Sequence, residues 1–97
     1  MAKSTHETKT FEKLQEQVKR FSGRELDSES FHKDGVMACN PFSGETAILS
    51  PQEAAVYYLV KNIEMEGFPI KSDVKVFDMM RYWLMAHNSQ AYMTLLD

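Results

Sequence analysis

The segment Ser50-Pro51-Gln52-Glu53-Ala54-Ala55-Val56-Tyr57-Tyr58-Leu59-Val60-Lys61-Asn62-Ile63-Glu64-Met65-Glu66-Gly67 constrains the fold more than any other, because it marks both ends of a helix. Ser50 can accept a hydrogen bond from the Glu53 amide while the Glu53 carboxylate reaches back, which forms a capping box. Pro51 sits at the first helical position, where its missing N–H costs nothing, and Gly67 suits a left-handed stop. Between them Val56, Leu59, Val60 and Ile63 recur at i, i+3, i+4 and i+7, so one stripe of a helix over 51–66 must face a core.

A chain of 97 residues has room for one such core and not for two. Its 43% hydrophobic and 26% charged residues fit a folded globular protein rather than a disordered one. The lone Cys39 has no partner for an internal disulfide, and an intracellular setting is the default. Met1-Ala2-Lys3-Ser4-Thr5-His6-Glu7 lacks the apolar run of a signal peptide. The most apolar window, Val74 to Ala86, is broken by Lys75, Asp78 and Arg81, so no membrane association is expected and a cytoplasmic protein is.

The net charge of −3 is unevenly spread. Residues 1–24 carry Lys3, Lys9, Lys13, Lys19, Arg20 and Arg24 against Glu7, Glu12 and Glu16, a balance of +3, which leaves −6 for residues 25–97. The body is a poor match for a phosphate backbone, whereas the N-terminal segment is not excluded.

Residues 1–9 read as a polar, frayed tail. From a cap at Thr10, the residues Phe11, Leu14, Val18 and Phe21 fall at helical spacing, and Ser22-Gly23 ends a first amphipathic helix over 10–22. Residues 1–23 are read as an appendage to a single domain over 24–97, held by the body or by a second copy. Asp34-Gly35 marks a turn. Val36-Met37-Ala38-Cys39-Asn40 and Glu45-Thr46-Ala47-Ile48-Leu49 flank Pro41-Phe42-Ser43-Gly44, which predicts a short hairpin over 36–49 that needs a helix on one face. After Phe68-Pro69, where proline disfavours helical geometry at Phe68, Ser72 and Asp73 open a helix over 72–87. A final short helix covers 89–96. The predicted fold class is α+β, mainly helical, with three to four helices and the hairpin.

Val76-Phe77-Asp78-Met79-Met80-Arg81-Tyr82-Trp83-Leu84-Met85 is apolar or aromatic at eight of ten positions, more than one stripe requires. Two faces of this helix need cover, and so small a domain supplies one of them more easily than the other. Met79, Met85, Tyr82 and Trp83 are therefore the expected anchors for a partner, with Phe11, Leu14, Val18 and Phe21 forming a helix-in-groove contact. The opposing reading makes this segment the central core helix of the domain, apolar all round.

Catalytic and metal signatures are lacking in the sequence. His6, His32, Cys39 and His87 match no zinc spacing, and the histidines read as solvated or capping residues. Cys39 reads as a small buried hydrophobe. A Cys39 pair with His32 or His87 lacks a recognisable oxyanion element. The acids Glu64/Glu66 and Glu25/Asp27/Glu29 read as solvated faces. Each of the four glycines has a turn or cap to serve, which leaves none for a phosphate loop. No cofactor is expected. A nucleic-acid accessory role would use Lys13, Lys19, Arg20 and Arg24, but Glu12 and Glu16 interleave with them.

Three pieces in order, Asn40-Pro41-Phe42-Ser43-Gly44-Glu45, then Leu49-Ser50-Pro51-Gln52-Glu53-Ala54-Ala55-Val56-Tyr57, then Ala91-Tyr92-Met93-Thr94-Leu95-Leu96-Asp97, resemble short uncharacterised proteins of tailed, particularly marine, bacteriophages. The resemblance covers residues 36–97 and carries over no functional residue. It implies a virus-encoded protein in the host cytoplasm, either a host-takeover protein or inhibitor that binds a bacterial target, or a minor component of the particle. The expectation is a non-catalytic binder of a host protein, with homo-oligomers as a further form of association. Its acidic body would steer it toward basic sites by charge mimicry.

Overall fold

The computed structural model describes residues 2–96, with side chains described over 11–96. Helix α1 spans Ala2–Ser22, a short 3-10 turn follows at Ser28–Ser30, and strands β1 (Val36–Cys39) and β2 (Thr46–Leu49) come next. Helices α2 (Pro51–Glu66), α3 (Asp73–His87) and α4 (Ser89–Leu95) complete the chain. The fold is α+β and mainly helical, as the periodicities predict.

The capped helix forms as its sequence dictates. Ser50 Oγ accepts from Glu53 N at 3.2 Å, and Glu53 Oε1 accepts from Ser50 N at 2.9 Å. Gly67 takes φ 77°, left-handed. Phe68 also has positive φ, at 57°, an unusual conformation for a side-chain-bearing residue. Its ring packs edge-on against Phe77 with centroids 5.0 Å apart, an apolar contact that holds the turn into α3.

β1 and β2 pair antiparallel, with Val36 opposite Leu49 and Met37 opposite Ile48. Alternation turns Ala38 and Leu49 inward against the helices and leaves Met37 and Ile48 outside. Gly35, at φ 116°, leads into β1, and a Cβ there would meet Ile48 Cγ2 at 3.1 Å. Asn40 ties the hairpin to α4: its Nδ2 donates to Thr94 O at 2.9 Å, and its Oδ1 accepts from Phe42 N at 2.8 Å.

Two expectations for the N-terminal region are corrected. α1 begins at Ala2, so Thr10 lies inside the helix rather than at its cap, and the tail over 2–9 is helical; Met1 lies outside the described residues. Of the two placements expected for α1, the structure shows it held by the body. Phe11, Leu14 and Val18 belong to the same buried cluster as Val56, Val76, Met80 and Trp83, because the stripe of α1 lies on α3.

Ser72 does not cap α3, and its Oγ instead donates to Phe21 O at 2.6 Å. The start of α3 is organised by Asp73, a fully buried carboxylate whose Oδ2 accepts from Ile70 N at 3.1 Å. Arg24 answers it in bidentate fashion, Nε to Oδ1 at 2.9 Å and Nη2 to Oδ2 at 3.0 Å, and also reaches Glu66 Oε1 at 2.7 Å. The guanidinium holds the Asp73 carboxyl below the usual carboxylate range, and the two carboxylates push the Arg24 pKa up. One ion cluster thus joins the end of α1, the end of α2 and the start of α3.

Candidate functional site

Between α1 and α3 lies an open groove of about 440 Å³, lined by Lys13, Leu14, Gln17, Met79, Tyr82, Trp83, Ala86 and His87. The helical period generates it. Positions 79, 82, 83 and 86 of α3 fall on one face and meet positions 13, 14 and 17 of α1. Leu14 and Trp83 form the buried floor, while Tyr82, 69% exposed, and Ala86 stand on the open side. Met85, 40% exposed, continues the apolar surface around α3 into a smaller pocket of about 210 Å³ with Asp78, Arg81, Tyr82 and Tyr92.

The floor is rigid. The Trp83 ring meets Phe11 edge-on at 5.7 Å and stacks on His87 at 4.1 Å. His87 Nδ1 lies 2.8 Å from Trp83 O, which fixes the imidazole at the end of α3. Trp83 Nε1 is buried and has no hydrogen-bond partner among the described residues. Beside the groove, Arg81 Nη2 donates to Tyr92 Oη at 2.7 Å, and this bond raises the arginine pKa.

The expected partner-binding residues divide into two groups. Phe11, Leu14, Val18 and Trp83 are buried in the protein's own core, so they are corrected from partner anchors to internal packing. The reason is mutual cover: the stripe expected to enter a foreign groove fills one side of α3 instead. Phe21 and Met79 are half-buried, and Tyr82 and Met85 remain on the surface. The structure brings Met79, Tyr82 and Trp83 together along the groove and leaves Phe21 beyond its lining.

The basic residues are also largely committed. Arg24 is spent on Asp73 and Glu66, which removes it from a phosphate-binding set. Lys19 lies 3.5 Å from Glu25, and Arg20 lies 3.3 Å from Glu16, both on the surface. Lys13 stands on the lip of the groove. Cys39 is exposed rather than buried, because strand alternation places it on the outer hairpin face with Met37. Its thiol lies 3.6 Å from Asn40 O, whereas His32 engages Asp34 and His87 engages Trp83, so neither imidazole bonds to it. Among the described residues no cluster of His, Cys, Asp and Glu is placed to hold a metal ion, and His6 lies outside the described side chains.

Sequence reasoning missed a second apolar patch. Met37 and Ile48, directly opposed across the ribbon, are 67% and 60% exposed, and Phe42 at the turn is 93% exposed. The alternation of the two strands carried that signal.

No family model, curated protein or solved structure matches the chain. Among the described residues no helix is long and apolar enough to cross a membrane.

Proposed function

We propose that this chain is a non-catalytic protein-binding module that occupies a partner's surface with the face formed by α1 and α3. The observation that carries the reading is the exposure of Tyr82 and Met85 on a helix whose other sides are already covered by α1, α2 and α4. Tyrosine and methionine supply large, adaptable apolar contact, and Trp83 closes the groove floor with its ring packed on Phe11 and His87. The polar groups nearby serve the fold: Asp73 holds Arg24, Glu53 caps α2, and Arg81 holds Tyr92. The phage resemblance of residues 36–97 points to a protein of the bacterial host as the partner.

Capture from a bacterial lysate tests this with the chain immobilised. The Tyr82→Ala/Met85→Ala double variant should lose a specific partner while its circular dichroism stays unchanged. Trp83→Ala and Phe11→Ala are poor probes because both disturb the core. Undiminished capture by the double variant would overturn the reading.

A second reading, a minor component of a larger assembly, draws on the outer hairpin face. Met37 and Ile48 form a second exposed apolar surface on a ribbon apart from the groove, with Phe42 exposed at its turn, as a subunit wedged between neighbours would need. Sedimentation separates the two. A discrete monomer or dimer favours the diffusible binder, and open-ended association relieved by Ile48→Lys favours the assembly component.

A further inference from the structure

We propose that the groove between α1 and α3 takes an amphipathic α-helix of a protein partner, with carboxylates flanking its apolar stripe. This rests on the docking face described above and adds the chemistry of its occupant. The groove walls are side chains of two helices, with backbone groups already paired within those helices. An extended segment laid there would leave its own N–H and C=O groups against an apolar floor, whereas a helix satisfies them internally. From Met79 to His87 the α3 side of the lining runs roughly 12 Å at the helical rise, which suits an occupant that seats about two turns in the groove.

Charge decides its flanks. Lys13 rises from the α1 lip, and Lys75 lies one turn before Met79 on α3. Lys75 Nζ sits 4.1 Å from the Phe21 ring centroid, and neither lysine has an ion-pair partner among the described residues. The acids one helical turn after each lysine face other cations: Glu16 pairs with Arg20, and Asp78 lies 3.6 Å from Arg81. Glu25 and Asp27 instead line the opposite flank of α1, across from Glu12 and Glu16. An overall acidic protein therefore carries two lysines without an ion-pair partner among the described residues along this seam, Lys13 in the groove lining and Lys75 one turn beyond it. A second copy docking by the same face would bring Lys13 and no carboxylate of the groove lining to the contact, so it supplies no charge partner there.

The test uses a display library of helical peptides of about 14 residues with a fixed apolar stripe and flanks drawn from Glu, Lys and Gln. Selection on the full chain should enrich Glu at the flanks. Glu-flanked peptides should bind roughly tenfold tighter than their Lys-flanked counterparts, and Lys13→Glu/Lys75→Glu should reverse the preference. Amide shifts on binding should map to Gln17, Met79, Tyr82 and Ala86.

Binding without preference between Glu and Lys flanks overturns the charge assignment and leaves the docking face standing. Binding that survives Met79→Ala/Tyr82→Ala overturns both, because the peptide then sits elsewhere. A thymidine oligonucleotide that outcompetes the selected peptides at the same residues, or a dimer that closes the groove, replaces the proposed occupant and overturns the inference.

Discussion

Helices α2 and α3 have similar apolar content and end in different circumstances. In α2 every residue from Glu53 to Tyr57 is buried, followed by Val60 and Ile63, because the helix lies between the hairpin, the 3-10 turn and α3, and its outward apolar residues are Tyr58 and, in the last turn, Met65. In α3 Val76, Met80, Trp83 and Leu84 are buried, and Val74, Tyr82 and Met85 face outward even though α1, α2 and α4 all pack on it. Apolar content measures how much cover a helix asks for; neighbours decide how much it receives. The unmet remainder on α3 is the surface assigned to a partner.

The largest test of this contrast removes part of the cover that α3 does have. Phe11→Ala should cost about 4 kcal/mol in urea unfolding, the range for a buried aromatic truncation. A loss below about 1 kcal/mol would mean that α1 lies loosely on α3, and α3 would then expose a second side. Slightly smaller is the loss from Arg24→Ala, about 3 kcal/mol at neutral pH, because Asp73 would stay buried without its partner. Since the folded form lowers the Asp73 pKa, the pair's stabilisation is complete above the ordinary carboxylate value and fades as pH falls through the depressed one. Arg24→Ala should therefore flatten the acid limb of the stability profile as well as lowering its plateau.

Asn88→Ala should cost about 1 kcal/mol in thermal unfolding, because Asn88 Oδ1 caps α4 at Ala91 N while its Nδ2 reaches Glu53 Oε1. The smallest effect carries the most meaning for the comparison. Tyr82→Ala should change stability by no more than about 0.5 kcal/mol, whereas Ile63→Ala in α2 should cost about 3 kcal/mol. Equal losses at the two positions would show that Tyr82 belongs to the core and would break the contrast.

Local signals made most of the architecture legible. Ser50, Pro51, Glu53 and Gly67 fixed α2, and alternation around Pro41-Phe42-Ser43-Gly44 placed the hairpin. The apolar surplus of α3 was also visible, but its sharing between core and surface was not. Whether Trp83 or Tyr82 is buried depends on where α1 lands, a contact between segments more than sixty positions apart. The Arg24–Asp73 bond, whose partners lie 49 positions apart, was hidden for the same reason. A charge in a polar stretch and a plausible helix-opening acid give no sign in sequence that they meet in the interior.

Trp83 is the single tryptophan of the chain, and its indole lies edge-on to Phe11 and stacked on His87. With excitation at the red edge, where the four tyrosines do not absorb, the molecule's emission therefore arises from one chromophore at the seam of two helices. Undocking of α1 should shift that light to the red. Material settling across Tyr82 should alter its intensity with no label attached, so a cuvette can follow both folding and occupancy.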